Sequence, residues 1–291
     1  MKSKLRMRIS SIFIAVIMLI NLLPVTAFAT GPDWSGYTAI SSAADLKNIA
    51  NDMDGKYYLT QNITLTENWT PLGLGRSGSY DKFDGTPFTG TFDGNGHTIS
   101  GLDTTTQFET YAGVGLFASV GAGGTIRNLT LSDANVYGRY WVGGFAGLNS
   151  GTIENCHLVD SKVGGYEKSN PSQNYNYIGG SQIGGIIGWN LPDGVITDSS
   201  VIRSSVLGNL NVGGVTGRNN GTISQSFVRD CSDDHWIGTK YQKSNATYST
   251  ALAMVCNSLM MQSQGYYNLT TPYMYVGGLV GSNESSQALE K

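Results

Sequence analysis

A short phrase recurs along the chain: an apolar residue, two glycines, two mostly apolar residues, a third glycine, a variable residue and an asparagine. Four copies open at Val142, Ile183, Val212 and Val276, and a degenerate copy opens at Val114. The shortest spacing between copies is about 28 residues, and two spacings are longer because segments are inserted. A repeat of this length predicts a solenoid, in which each unit stacks on the previous one.

A second pattern, which predicts strands, follows the first four copies of the phrase. Aligning the units on the isoleucine of a Thr-Ile or Val-Ile pair produces columns of apolar or small residues separated by polar ones. This alternation is typical of strands with one buried face, and these segments show no helical period. The fold class predicted is therefore all-β, a parallel β-helix. Its first core column contains Ile126, Ile153, Ile196 and Ile223.

The glycines and asparagines of the phrase have predicted structural roles. Paired glycines let the backbone of one coil lie close to the next. Asparagine after the third glycine suits a corner that needs a positive φ, and the asparagines of successive coils can also form a side-chain ladder. The residues assigned these roles are Gly143, Gly144, Gly147, Asn149, Gly184, Gly185, Gly188, Asn190, Gly213, Gly214, Gly217, Asn219, Gly277, Gly278, Gly281 and Asn283.

The chain divides into three predicted regions. Residues 1–29 have a basic start, an apolar run and a small-x-small cleavage site, as a secretory signal peptide does; an uncleaved N-terminal anchor is the alternative. Residues 30–110 form an N-terminal cap and the first coils. Residues 111–291 carry the repeats, with insertions near 164–182 and 232–275. The last repeat is incomplete, so we expect a fragment or one module of a longer protein.

The cap is predicted to begin with an amphipathic helix over Ser41–Asn51. Ser42 followed by Asp45 resembles a capping box. Such a helix can cover the open edge of the first coil. Its apolar face is predicted to carry Leu46, Ile49 and Ala50.

The charge balance limits the kinds of partner. The signal peptide holds four of the 18 basic residues and none of the 21 acidic ones, which leaves 14 basic against 21 acidic residues. Mild acidity argues against nucleic acid as a partner. No segment after the signal peptide is apolar and long enough to span a bilayer. A secreted or cell-surface location is therefore expected.

The three cysteines do not suggest a disulfide framework, because their number is odd. Cys156 and Cys231 fall in small-residue core columns, which predicts buried, unreactive thiols. Cys231 and Cys256 bracket much of the second insertion, so a disulfide between them remains an alternative in an exported protein.

These repeats resemble the GLUG-motif family of secreted bacterial proteins. The similarity lies in the Val-Gly-Gly phrase followed by Gly-Thr-Ile, clearest at 142–153 and 212–223. It implies a right-handed parallel β-helix like that of the pectin-lyase superfamily. The motif implies little about activity, since such repeats occur in IgA-specific metalloendopeptidases, in adhesin-like surface proteins and in many uncharacterised exported proteins.

The sequence shows no arrangement typical of catalysis. None of the three histidines has a second histidine at the spacing of zinc ligands. A calcium-dependent lyase needs clustered carboxylates, but the outward column of Asn155, Asp198 and Gln225, flanked by Arg127 and Glu154, supplies only two and reads as a solvated face. We therefore predict no catalytic residues, no metal site and no cofactor; calcium is possible in such a fold but unsupported.

The two insertions are the best candidates for a binding surface. Both fall between the last core column and the next phrase, so they should emerge at the same corner of the solenoid. They are rich in tyrosine and tryptophan, which suit binding surfaces because an apolar ring carries a polar edge. The alternative is that these rings pack the insertions themselves. The predicted binding residues are Tyr166, Tyr175, Tyr177, Trp236, Tyr241, Tyr266, Tyr267 and Tyr273.

Three functional hypotheses follow. The leading one is a non-catalytic interaction module of adhesin or surface-protein type that binds a glycan or a host protein. The second is a polysaccharide lyase or hydrolase on the same fold. The third is a passive stalk of a larger surface protease.

Overall fold

The stacked architecture expected from the repeats is present. The computed structural model describes residues 31–75, 82–104, 112–165, 167–170, 175–178, 180–208, 210–231, 237–238, 240–243, 250–251, 276–277 and 280–283. The chain divides into two units, Met1–Ser35 and Gly36–Lys291, and the β-structure belongs to the second. The predicted signal peptide lies outside the described residues.

The N-terminal region supplies the first strands and one helix. A 3₁₀ turn, Ile49–Asn51, directly follows the helix. The elements are, in chain order, β1 (Thr38–Ile40), α1 (Ala43–Asn48), β2 (Lys56–Leu59), β3 (Ile63–Thr64), β4 (Thr91–Asp93) and β5 (Thr98–Ser100).

The predicted cap helix is confirmed, with one correction. The Ser42 hydroxyl accepts a hydrogen bond from the Asp45 backbone N–H at 3.1 Å, which caps the first turn. Leu46 and Ile49 are fully buried in the main core. Ala50 is exposed, so its placement on the buried face was wrong. The chain tightens from an α-helix to a 3₁₀ turn at Ile49, and the changed period rotates Ala50 away from the core.

Three repeat units follow, separated by an insertion, and each contributes strands in the same order. Their elements are β6 (Ala112–Val114), β7 (Phe117–Val120), β8 (Thr125–Ser132), β9 (Asn135–Gly138), β10 (Tyr140–Val142), β11 (Ala146–Asn149), β12 (Thr152–Val159), β13 (Lys162–Gly165), β14 (Glu167–Asn170), β15 (Tyr175–Ile178), β16 (Ser181–Gly184), β17 (Ile187–Asn190), β18 (Val195–Thr197), β19 (Ser200–Ile202) and β20 (Ser205–Leu207).

The remaining strands extend the same pattern. They are β21 (Leu210–Gly213), β22 (Thr216–Asn219), β23 (Thr222–Ser224), β24 (Phe227–Arg229), β25 (Ile237–Gly238), β26 (Lys240–Lys243), β27 (Thr250–Ala251), β28 (Val276–Gly277) and β29 (Val280–Asn283).

Within the described residues, four parallel sheets run along the stack of coils. Sheet A contains eleven strands and follows the path β1-β2-β4-β8-β12-β18-β23, with β3, β5, β19 and β24 pairing beside it. Sheet B has the order β7-β11-β17-β22-β29, sheet C the order β9-β13-β20-β25 and sheet D the order β6-β10-β16-β21-β28. Each coil contributes to these sheets in turn, so the fold is an all-β parallel β-helix.

The predicted core columns are confirmed as rows of directly paired residues. Ile153 pairs with Ile126 on one side and with Ile196 on the other, and Ile196 pairs with Ile223. All four isoleucines are buried in one continuous core. Like residues therefore stack on like residues at the spacing of paired strands, about 4.8 Å.

The asparagines of the phrase form the expected ladder inside the molecule. Asn149, Asn190 and Asn219 are fully buried and pair in register. The Nδ2 atom of Asn149 donates to Oδ1 of Asn190 at 2.8 Å, and Nδ2 of Asn190 donates to Oδ1 of Asn219 at 2.8 Å. Each amide therefore satisfies its neighbour, which is the condition for burying polar groups without a large cost.

The positive φ predicted for these asparagines is wrong. Asn149 instead closes the turn with its side chain: its Oδ1 accepts from the Gly151 N–H at 3.1 Å, and its Nδ2 donates to the Gly151 carbonyl at 3.2 Å. The left-handed corners lie elsewhere, in three other columns. These columns are Asn128, Asn155, Asp198 and Gln225; Asp133, Asp160, Arg203 and Asp230; and Trp141, Gln182 and Asn211.

Small polar residues after these corners form a second kind of ladder. The hydroxyl of Ser199 accepts from the Cys156 N–H at 3.2 Å and donates to the Thr197 carbonyl at 2.8 Å. At the next corner, the Ser204 hydroxyl accepts from the Ser161 N–H at 3.0 Å. A buried hydroxyl thus replaces the backbone acceptor that a turning strand cannot supply.

The close approach expected at the glycine pairs is confirmed. A Cβ atom on Gly144 would lie 2.7 Å from the carbonyl oxygen of Gly185 in the next coil. On Gly188, a Cβ would lie 2.5 Å from the backbone nitrogen of Val142. Real Cβ atoms do not make such contacts with backbone, so these positions require glycine.

We predict that Asn190→Ala destabilises the protein by about 1–3 kcal/mol, because it leaves polar atoms of Asn149 and Asn219 buried without their ladder partner. Urea unfolding followed by circular dichroism measures the change. The exposed Asn51→Ala variant serves as control and should change the free energy of unfolding by less than about 0.5 kcal/mol. Equal stability of the two variants would show that the ladder contributes nothing.

Candidate functional site

The two insertions leave the solenoid at equivalent positions. The first lies between β13 of sheet C and β16 of sheet D, and the second lies between β25 of sheet C and β28 of sheet D. Because the coils stack in register, both segments start and end at the same two sheets. The repeat alignment predicts this shared corner, but β25 lies inside the predicted 232–275 insertion and pairs with β20 in sheet C.

Strands from the two insertions form one antiparallel sheet, which we call the insertion sheet. It has the order β14-β15-β26-β27, so the first two strands come from one insertion and the last two from the other. The junction is between β15 and β26, where Asn176 pairs with Gln242 and Tyr177 with Tyr241. Coils that are not sequence neighbours are thus joined by main-chain pairing outside the solenoid.

Three of the predicted binding residues lie on the insertion sheet. Tyr175 and Tyr177 are on β15, and Tyr241 is on β26 directly opposite Tyr177. Positions two apart on a strand and directly paired positions share one face of a sheet. These three tyrosine positions therefore belong to one face. The other five predicted residues lie outside the described residues: Tyr166, Trp236, Tyr266, Tyr267 and Tyr273.

A polar network crosses the outward side of sheet A. Asn128 donates to the Asp93 carboxylate at 3.1 Å and accepts from Asn155 at 2.9 Å. The Nε2 atom of His157 lies 3.1 Å from Oδ1 of Asn155, and its Nδ1 lies 2.8 Å from the Ser200 hydroxyl. The Asp93 carboxylate can only accept, so Asn128 donates to it and accepts from Asn155 through its amide oxygen. Asn155 then turns its own amide oxygen to His157. The neutral imidazole therefore donates from Nε2 to Asn155 and accepts at Nδ1 from the Ser200 hydroxyl.

Ser200 and His157 are the residue types of a nucleophile and a general base, but a substrate could not reach the Ser200 hydroxyl. Ser200 is 1% exposed, so its hydroxyl is sealed from a substrate. Partial burial lowers the pKa of His157 from its usual value. The Asn155, Asp198 and Gln225 side chains are exposed, as predicted for a solvated face. We assign the network a structural role.

The cysteine predictions are partly tested. Cys156 is a free, fully buried thiol, and burial raises its pKa to about 12, which suppresses the reactive thiolate. His157 lies on the opposite face of β12, where it is hydrogen-bonded to Asn155 and Ser200. The buried Cys231 thiol donates to the Arg229 carbonyl at 3.3 Å. Cys256 lies outside the described residues, so the disulfide with Cys231 stays a prediction.

Within the described residues, no three or more His, Cys, Asp and Glu side chains come together as metal ligands would. No helix in the described part of the chain has the length and apolar character needed to cross a membrane.

A second aromatic surface, which the sequence did not lead us to predict, lies on the solenoid itself. Trp141 and Trp189 lie in a hydrophobic cluster separate from the main core, and Arg218 stacks on Trp189. The signal was present in the alignment, because Leu148, Trp189 and Arg218 occupy the variable position of successive phrases and pair in register on sheet B.

We predict that His157→Gln weakens the dependence of stability on pH below about pH 6.5, the ordinary pKa of a histidine. The unfolded chain protonates its histidine near pH 6.5, whereas the folded chain does so only at lower pH. Neutral His157 therefore contributes stability that is complete above about pH 6.5 and is lost as the pH falls through the lowered pKa. Urea midpoints measured across this range test it, and an unchanged pH profile in the variant would contradict it.

The comparisons with known proteins give partial relatives. No family model matches the chain, so membership of the GLUG-motif family stays a prediction. The chain is 34% identical over 168 residues to halomucin of Haloquadratum walsbyi, a match that covers 55% of this chain and 2% of halomucin. It is 30% identical over 175 residues to a protein of Evansella cellulosilytica named "Putative Gly-rich membrane protein", covering 52% of this chain and 19% of that protein.

A solved structure also aligns with the chain. It is the crystal structure of a putative immunoglobulin A1 protease from Bacteroides ovatus, with 19% sequence identity, a TM-score of 0.42 and 72% of each chain covered. At this level the likeness supports no conclusion about function. The chain spans only a small fraction of the length of both sequence relatives.

Proposed function

We propose that this chain is a non-catalytic interaction module of an exported or surface protein, and that the insertion sheet is its binding side for a glycan or a host protein. The observation that carries the proposal is the pairing of β15 with β26, which joins two separate insertions into one sheet. An insertion that only decorated a spacer would have no reason to pair with a second one.

The residues at the junction suit recognition. Tyr177 is paired with Tyr241, and Tyr175 lies two positions away on the same strand. Tyrosine offers an apolar ring and a hydroxyl at a low cost in conformational entropy, which explains its frequency on binding surfaces. Main-chain pairing of the two insertions also fixes these positions relative to one another, which lowers the entropy lost on binding.

Two further observations support an exported or surface location. The predicted signal peptide implies export, and one relative bears the name of a membrane protein. The predicted absence of a catalytic cluster favours binding over the lyase or hydrolase hypothesis. The GLUG-type resemblance is compatible with either a surface module or the stalk of a larger protein.

We predict that the protein without residues 1–29 binds at least one member of a glycan array or a matrix-protein panel. The double variant Tyr177→Ala/Tyr241→Ala should weaken that binding at least about tenfold, because aromatic residues at the centre of an interface dominate its energy. Tyr58→Ala, on β2 away from the insertion sheet, should bind like the unmodified protein.

Circular dichroism and thermal unfolding of all three proteins would verify that each is folded. Absence of binding across both panels would contradict the proposal. So would binding that the tyrosine pair does not affect, because the partner would then contact another surface.

A further inference from the structure

A compact group of aromatic side chains covers part of the outer side of sheets B and D. It is separate from the solenoid core, although the strands that carry it also line that core. We call it the tryptophan ladder. Two of its residues are almost fully buried, and the others keep part of their surface in contact with solvent; the members are Trp141, Leu148, Phe83, Tyr140, Trp189 and Leu191.

The ladder runs across three coils. The Trp141 and Trp189 ring centroids are 5.8 Å apart, and the Arg218 guanidinium lies 4.4 Å from the Trp189 centroid. The Trp189 indole N–H donates to Oδ1 of Asn220 at 2.7 Å, which fixes the ring. Arg218 continues the column of Leu148 and Trp189 on sheet B, one coil further along.

A second arginine lies on the same group. The Arg139 guanidinium is 5.3 Å from the centroid of the Tyr140 ring. Two cations therefore lie against two half-buried aromatic rings, in different coils of one surface. The chain as a whole is acidic, so a local pairing of arginine with aromatic rings contrasts with its average surface.

Backbone strain marks the same place. Trp141 has a φ of 51°, a left-handed conformation that is a rare outlier for a bulky residue. Its equivalents in the neighbouring coils are Gly113, Gln182 and Asn211, all with positive φ. Glycine and asparagine accept that conformation at little cost. The contacts of the indole ring with Leu148 and Trp189 hold Trp141 in this conformation against its backbone preference.

We propose that the tryptophan ladder and its arginines bind an acidic polysaccharide, with sugar rings against the exposed edges of Tyr140 and Trp189 and a sugar carboxylate on Arg218. Aromatic rings contact the apolar faces of sugars, and a guanidinium binds a carboxylate through two parallel hydrogen bonds. Because coils repeat about every 4.8 Å, the surface presents these groups along a line, as an extended chain molecule requires.

This site is independent of the insertion sheet. Trp189 and Arg218 belong to sheet B, whereas Tyr177 and Tyr241 belong to the antiparallel strands of the insertions. The variants that test the two surfaces therefore change different sheets and have no residue in common. Failure of the proposed function and failure of this proposal can therefore be distinguished.

The test measures binding of the protein without residues 1–29 to polygalacturonate and to neutral dextran at low salt, by affinity electrophoresis and calorimetry. We expect binding to polygalacturonate alone. Arg218→Gln should weaken it about tenfold, the usual value of one charge-assisted contact. The matched control is Arg229→Gln, since Arg229 also lies on an aromatic ring, 5.7 Å from the Phe227 centroid, but on sheet A. It should bind within about twofold of the unmodified protein.

A second variant separates stacking from charge. Trp189→Leu copies the residue that occupies this column one coil earlier, so it keeps the cluster apolar, and it should also weaken binding to polygalacturonate. Equal binding to polygalacturonate and dextran, equal losses in the two arginine variants, or no effect of Trp189→Leu would each overturn the proposal. Binding of a matrix protein that depends on Arg218, without binding of polygalacturonate, would assign the surface to a protein partner and also overturn it.

Discussion

The main-chain hydrogen bonds between the glycine pairs of successive coils hold the whole structure in register. The Gly144 N–H donates to the Gly185 carbonyl at 2.9 Å, and the Gly185 N–H donates to the Gly214 carbonyl at 2.8 Å. These bonds require the coils to approach so closely that a Cβ atom on Gly144 would overlap the Gly185 carbonyl. Glycine at this column is thus a steric requirement of coil stacking. The hydrogen bonds that it allows fix the register of the other strands in each coil.

Fixed register explains both the interior and the surface. Inside, it aligns isoleucine with isoleucine and brings each buried asparagine amide against the next, so polar groups are satisfied within one column. Outside, it starts the two insertions from the same corner and allows β15 to pair with β26. It also aligns Leu148, Trp189 and Arg218 along one line. One backbone constraint thereby places both candidate binding surfaces.

The alignment predicted whatever depends on that register, and it failed where local geometry decides. Core columns, the asparagine ladder and the shared corner of the insertions follow from spacing alone. The left-handed corners could not be read off, because Asn149 closes its turn through its side chain, whereas Asn155 and Asp198 adopt positive φ. Ala50 was predicted on the buried face because the helix was assumed to keep the α-helical period, whereas the chain forms a 3₁₀ turn from Ile49 onward. The aligned variable positions placed Trp189 between Leu148 and Arg218, but its contacts with Trp141 and Arg218 cross coils and are visible only in the structure.

The most direct test of the register is a cross-link between the two insertions. Asn176 and Gln242 are paired on antiparallel strands, where Cα atoms lie about 4.5–5.5 Å apart, within the range of a disulfide. In a Cys156→Ser/Cys231→Ser/Cys256→Ser background, the added pair Asn176→Cys/Gln242→Cys should form an intramolecular disulfide under mild oxidation. The mismatched pair Asn176→Cys/Thr222→Cys, with Thr222 on sheet A, should not. Failure of the first pair to cross-link, or equal yields in both, would contradict the account.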